Sequence, residues 1–124
     1  RAIQLLEEQM NIPVPEFTVA GIKHDSMFAH KWYLGTPTDL SSLDVKAIRD
    51  RIDQNLKDLN DDYRVERIAA IREVLVEVVP LQLFYDYMKI LGKEGGQHKF
   101  PRVIKNEKHL HWEEFLDKNY RSRT

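Results

Sequence analysis

The sequence lacks cysteine, long apolar runs and an excess of charge of either sign. The absence of cysteine excludes disulfide bonds, thiolate nucleophiles and cysteine-ligated metals. No apolar run approaches the roughly 20 residues that a membrane-spanning helix needs, so we expect a soluble protein. Because 19 Lys and Arg residues stand against 20 Asp and Glu residues, the bulk electrostatic field favours neither nucleic acid nor a membrane as a partner.

The residues that are present suit one compact domain spanning residues 1–124. The chain is 42% hydrophobic and 31% charged, enough for one sizeable core and a polar surface around it. No signal peptide is apparent, and we expect a cytoplasmic location. Because the chain begins at Arg1 and enters a helical pattern without a cap, we interpret it as a piece of a longer protein.

Hydrophobic periodicity predicts an α+β fold, an α/β sandwich in which helices flank a small mixed sheet. Ser41 and Ser42 are the predicted N-caps of the strongest helix, whereas residues 63–71 suit a short helix without demanding one. The two Asp residues at 61 and 62 read as a break, and residues 120–124 are expected to fray. The predicted helices cover residues 1–10, 43–59, 81–92 and 111–119, and the predicted strands cover 16–22, 28–34 and 73–79, the first two as a hairpin.

Motifs of hydrolases and nucleotide-binding loops are missing. Neither a Gly-x-Ser-x-Gly nucleophile elbow nor a phosphate-binding Gly-x-x-x-x-Gly-Lys-Ser/Thr loop occurs. His109 and His111 are two residues apart, which places them on opposite sides of a strand or about 200° apart on a helix. With no acidic pair at ligand spacing beside them, we predict no metal site.

The segment with the strongest candidates for ligand binding is the glycine-rich loop over residues 92–105. Gly95 and Gly96 allow the backbone to approach a ligand closely, and Gln97, Lys99 and Arg102 follow them. A lysine and an arginine on such a loop can bind phosphate or another anion. From the residues alone, the loop is either this kind of anion site or a solvated turn whose cations face water.

Residues 95–103 (GGQHKFPRV), which follow the aromatic helix FYDYM at 84–88, resemble the C-terminal domain of the acyl-acid amido synthetases. This family is called the auxin-responsive-promoter family in plants, has bacterial relatives, and belongs to the adenylate-forming enzymes that include luciferase and acyl-CoA synthetases. Its loop reads Gln, any residue, Lys, any residue, Pro, Arg. Residues 17–19, 30–34 and 59–67 resemble other parts of the family in the right order, and the Gly-Gly spelling resembles the bacterial branch.

The resemblance implies a reaction and a division of labour within a longer protein. A carboxylic acid is activated with ATP to an acyl-adenylate, which an amine or amino acid converts to an amide. ATP with Mg²⁺ and the acid would be bound mainly by an N-terminal domain absent from this sequence, over which the C-terminal domain swings. We therefore expect the isolated fragment to be inactive.

The resemblance also suggests roles for single residues. Lys99 is implied as the catalytic cation, while Gln97 would contact nucleotide or loop backbone. Arg102 would assist the phosphates or brace the loop, with bracing favoured because it follows a proline. Tyr63, Arg64 and Arg67 are weaker candidates, because a pocket contact and an interdomain salt bridge look alike in sequence. The alternatives left open are a free-standing nucleotide- or anion-binding or docking module, and transfer to coenzyme A instead of an amine.

Overall fold

A computed structural model describes residues 1–24, 27–69, 71–92 and 100–121. This part of the chain contains five α-helices and three strands, with one short 3-10 turn at Leu40–Ser42. The helices are α1 Ala2–Met10, α2 Val45–Leu59, α3 Asp61–Ala69, α4 Leu81–Ile90 and α5 Asn106–Asn119; the strands are β1 Glu16–His24, β2 Met27–Thr36 and β3 Ile71–Pro80.

The three strands form one mixed sheet in the order β1-β2-β3. The first two strands are antiparallel, with Val19 opposite Trp32, so the predicted hairpin is confirmed. The third strand lies parallel to β2, with Trp32 opposite Val76. A parallel pair needs a long crossover, and α2 and α3 form that crossover between β2 and β3. The predicted α+β fold with a small mixed sheet flanked by helices is confirmed.

Helices cover both faces of the sheet, because each strand carries apolar side chains on both sides. Trp32 and Leu34 point to one face, while Tyr33 between them points to the other. The α2-side core contains Ile3, Leu6, Ile12, Val14, Trp32, Leu34, Ile48, Ile52, Val74 and Val78. The α5-side core contains Ala20, Tyr33, Val79, Phe84, Tyr87, Met88, Phe100, Ile104, Trp112, Phe115 and Leu116.

Helix boundaries differ from the predicted ones in places where a side chain caps the backbone. The N-cap of α2 is Asp44, whose carboxylate accepts a 3.1 Å hydrogen bond from the Ala47 amide, so the prediction of Ser41 or Ser42 was wrong. Those serines lie in the 3-10 turn, which Asp39 caps. The predicted break at residues 61–62 was also wrong, because these residues begin α3.

The end of α4 and the beginning of α5 frame the glycine-rich loop. Helix α4 starts directly after Pro80 and ends before Gly92, whose φ of 72° is the left-handed conformation that glycine adopts most easily. Helix α5 begins at Asn106, five residues before the predicted start. The segment between Phe100 and α5 runs beside β1, and this placement positions the candidate site.

Candidate functional site

Four of the predicted site residues lie outside the described residues. These are the implied catalytic Lys99 together with Gln97, Gly95 and Gly96, all within residues 93–99. The structure does describe the chain immediately after them, from Phe100 onwards. The geometry of the site is therefore built from this exit segment, Phe100 to Ile104, and from the elements that hold it.

Phe100, which is bonded to Lys99, is anchored in the α5-side core. Its ring is fully buried, with its centroid 4.8 Å from that of Phe84 and 4.9 Å from that of Trp112. The ring of Tyr87 is 5.9 Å away. Tilted and edge-to-face aromatic contacts at these separations add to the apolar burial. The chain directly after Lys99 is therefore held at a fixed point in the core.

The backbone after Phe100 is attached to the outer edge of β1. The amide of Val19 donates to the Arg102 carbonyl at 2.9 Å, and the amide of Ile104 donates to the Val19 carbonyl at 3.0 Å. Val103 thereby forms a parallel bridge with Val19. This pairing covers part of an otherwise open sheet edge and fixes the direction of the exit segment.

The side chain of Arg102 binds the beginning of β1. Its Nη1 donates to Glu16 Oε2 at 3.0 Å and to the Phe17 carbonyl at 3.1 Å. Its guanidinium carbon also lies 4.2 Å from the centroid of the Phe17 ring. A guanidinium can bind a carboxylate, a carbonyl and an aromatic face at once because it is planar and carries several donors. Arg102 thus ties the exit segment to β1.

Two of the weaker candidates meet on a residue that the sequence analysis missed. Asp53 on α2 accepts hydrogen bonds from the Tyr63 hydroxyl at 2.9 Å and from Arg67 Nε at 3.1 Å, and Lys57 Nζ lies 3.4 Å away. Burial alone would raise the pKa of Asp53, but hydrogen bonds from Tyr63 and Arg67 lower it. Burial and the hydrogen bond to Asp53 raise the pKa of Tyr63.

These contacts join α2 to α3 within the domain. Arg64 is not part of the group, because its guanidinium contacts Asp58 and the Lys57 carbonyl, each at 3.4 Å. The ring of Tyr63 also lies 6.4 Å from that of His30. The structure thus gives Tyr63 and Arg67 partners in their own domain.

A second polar network, absent from the sequence analysis, links β2, β3 and α5. Glu113 accepts from the buried Tyr33 hydroxyl and from Arg121, and Arg121 also binds Glu77. The Tyr33 hydroxyl oxygen is 2.9 Å from His109 Nε2. Arg121 lies within residues 120–124, which are expected to fray from the sequence, and its side chain binds Glu77, Glu113 and Asp117. The sequence offers one indication of this contact, the spacing of eight residues between Glu113 and Arg121. Many pairs of surface charges that never meet have the same spacing.

Within the described ranges, no group of three or more His, Asp or Glu side chains is arranged to hold a metal ion. No helix in these ranges has the length and hydropathy needed to cross a bilayer.

An open groove of about 440 Å³ lies at the carboxyl ends of β2 and β3, beside Thr36, Gln82 and Tyr85. Of the predicted site residues that the structure describes, none lines it.

Comparison with known proteins assigns the family. Residues 1–108 match the model of the GH3 family C-terminal domain. The chain belongs to this family. The match covers the sheet, helices α1 to α4 and the glycine-rich loop, including its exit segment.

Solved structures agree with this GH3 assignment at the level of the fold. One is described as "AtGH3.15 acyl acid amido synthetase in complex with 2,4-DB", with a TM-score of 0.64 and 20% identity over 95% of this chain. Another, "GH3.15 acyl acid amido synthetase", has a TM-score of 0.68 and 20% identity over 95% of this chain. The GH3 domain spans 22% and 21% of those two chains, about a fifth of their length. No curated protein sequence matches it.

Proposed function

We propose that this GH3 domain acts as the C-terminal domain of a longer, ATP-dependent acyl acid amido synthetase. The observation that carries the proposal is the family match over residues 1–108, which includes the whole glycine-rich loop with its Gln-His-Lys-Phe-Pro-Arg sequence. The similar structures support it, because they are described as acyl acid amido synthetases and contain this fold as about a fifth of a larger chain.

The proposed reaction has two steps. In the first, a carboxylate oxygen of the acid attacks the α-phosphorus of ATP, and the bond to the β-phosphate oxygen breaks to release pyrophosphate. In the second, an amine nitrogen attacks the acyl carbon, AMP leaves with the bonding electron pair, and the nitrogen loses a proton. ATP and Mg²⁺, which offsets the phosphate charge, are assigned mainly to an N-terminal domain. A bacterial source and a cytoplasmic location remain predictions.

Lys99 is the proposed catalytic residue of this domain. The first step brings two anions together, so a cation placed at the phosphates stabilises the charge that moves onto the leaving group. Phe100 and Arg102 are assigned to bracing, because both hold the exit segment that is bonded to Lys99. Gln97 is assigned to the nucleotide or to the loop backbone.

ATP–pyrophosphate exchange by the complete chain tests the proposal. The exchange is measured against a panel of carboxylic acids for the wild type, Lys99→Ala and, as a matched control, Lys105→Ala. We expect Lys99→Ala to lower the rate of exchange by about 10²–10³-fold. The exposed Lys105 should tolerate substitution, and neither change should alter thermal stability appreciably.

Each other outcome overturns a defined part of the proposal. Exchange that is unaffected by Lys99→Ala refutes the site while leaving the adenylation chemistry in place. A chain that neither catalyses exchange with any acid nor binds ATP would instead be a binding or docking module. Formation of a thioester with coenzyme A, without an amide from any amine, would refute the amide product.

A further inference from the structure

Glu16, at the first position of β1, is a buried carboxylate that no motif in the sequence singles out. The residue is only 9% exposed, although glutamate is rarely buried unless it is paired. Its Oε2 accepts the 3.0 Å hydrogen bond from Arg102, which is 86 residues away along the chain. The pair therefore joins the beginning of the sheet to the end of the glycine-rich loop.

Arg102 is held at two levels, through its side chain and through its backbone. The guanidinium binds Glu16, the Phe17 carbonyl and the Phe17 ring. The carbonyl of Arg102 accepts from the Val19 amide. Without the carboxylate, the partners of the guanidinium among the described residues would be a neutral carbonyl and a ring, so the side chain of Arg102 would hold the exit segment less firmly.

An ion pair between a buried carboxylate and an arginine side chain that is 38% exposed is better suited to fixing geometry than to adding stability. The cost of removing the Glu16 carboxylate from water offsets part of its attraction to Arg102, and water screens the exposed side of the guanidinium. What the charged pair adds is a defined direction and distance between two segments. Here the two segments are the start of β1 and the exit segment.

We propose that Glu16 is a positioning residue for adenylation, acting through Arg102 on the chain segment from which Lys99 extends. The inference rests on the function proposed above. Lys99 is bonded to Phe100, and Phe100 is two residues from Arg102, so the Glu16–Arg102 pair and the buried Phe100 ring together fix the chain that directly follows Lys99. Misplacing a reacting or charge-stabilising group by about 1 Å can lower a rate by about 10²-fold.

The test uses the complete chain and ATP–pyrophosphate exchange with the best acid from the panel. Glu16→Gln removes the charge and keeps the size, while Glu16→Asp keeps the charge with a shorter reach. The matched control is Glu77→Gln, because Glu77 is also a partly buried carboxylate paired with an arginine, but lies on β3. Each variant is also made in the Lys99→Ala background, and rates are expressed per folded enzyme.

We expect Glu16→Gln to lower kcat about tenfold or more, with the KM values for ATP and acid changed less than about twofold. Glu16→Asp should recover part of the loss, and Glu77→Gln should leave kcat unchanged. In the Lys99→Ala background, Glu16→Gln should lower the residual rate less than about twofold, because the group that it positions is already gone. If residual exchange is undetectable, the contrast between Glu16→Gln and Glu77→Gln decides.

The inference is overturned if Glu16→Gln leaves kcat unchanged or lowers it no more than Glu77→Gln. The same factor of loss with and without Lys99 also overturns it, because the carboxylate would then act only on folding or through another group. These results leave the proposed function intact. Exchange that is indifferent to Lys99→Ala refutes the proposed site itself, and the positioning role with it.

Discussion

Glu113 is the carboxylate at the centre of the polar network between the sheet and α5, and its replacement by glutamine gives a quantitative prediction. Burial alone would raise the pKa of Glu113, but hydrogen bonds from Arg121 and Tyr33, with the charge of Lys31 3.5 Å away, lower it to about 2. The ordinary value is 4.5. The folded state therefore stabilises the ionised form of Glu113 relative to the unfolded state.

The size and the sign of the effect follow from this difference. A pKa lowered from 4.5 to about 2 corresponds to at most about 3.4 kcal/mol, at about 1.36 kcal/mol per pH unit. The side chain is 29% exposed and glutamine can still accept hydrogen bonds, so we expect Glu113→Gln to lower the free energy of unfolding by about 1–2 kcal/mol at pH 7. Because the folded pKa is the lower one, this stabilisation is complete above pH 4.5 and is lost as the pH falls towards 2.

Urea unfolding of the 124-residue chain at pH 7, 5, 4 and 3 measures the effect. The difference in unfolding free energy between wild type and Glu113→Gln should be constant down to about pH 5 and should shrink at pH 4 and again at pH 3. Asp117→Asn is the matched control, because Asp117 binds the same Arg121 at 2.9 Å but its side chain is 65% exposed. That variant should lose at most about 1 kcal/mol. A difference that is independent of pH, or an equal loss in the control, would refute the reasoning.

Two further predictions concern the fold. Gly35→Ala should destabilise the chain by about 1–3 kcal/mol, because a Cβ at this position would lie 2.6 Å from the buried ring of Phe84; an unchanged melting temperature would contradict this. Asp44→Ala should lower the free energy of unfolding by about 1 kcal/mol through loss of the N-cap bond to Ala47. Ser42→Ala should change it by less than about 0.5 kcal/mol, and a larger loss in the serine variant would contradict the assignment of the cap.

Much of the secondary structure could be predicted from the sequence, because local patterns encode it. The alternation around Phe17 and Trp32 predicted the hairpin, and Pro80 marked the change from β3 to α4. The errors concern helix ends, where neighbouring residues are equally suited to begin the helix. Serine and aspartate are both good caps, and only the observed hydrogen bond selects Asp44. The early start of α5 was missed because its first turn is polar and lacks apolar periodicity.

The candidate site was predictable only as a stretch of sequence with a family resemblance. That resemblance pointed to the loop containing Lys99 and to Arg102, and the family assignment agrees with it. It could not reveal Glu16 or Asp53, because nothing in their neighbouring residues shows which cation each will meet. Tyr63 and Arg67 were named as candidates, but their shared partner on α2 becomes visible only when the helices are packed.

The sequence by itself determined the positions of most helices and strands, the single-domain size and the candidate loop. These features depend on periodicity, turn residues and motif spacing, which act over a few residues. The tertiary structure alone decided that β3 lies parallel to β2, that Phe100 fills an aromatic core, and that Arg102 meets Glu16. Such contacts join residues far apart in the chain, so their partners are set by how the helical layers and the sheet pack together.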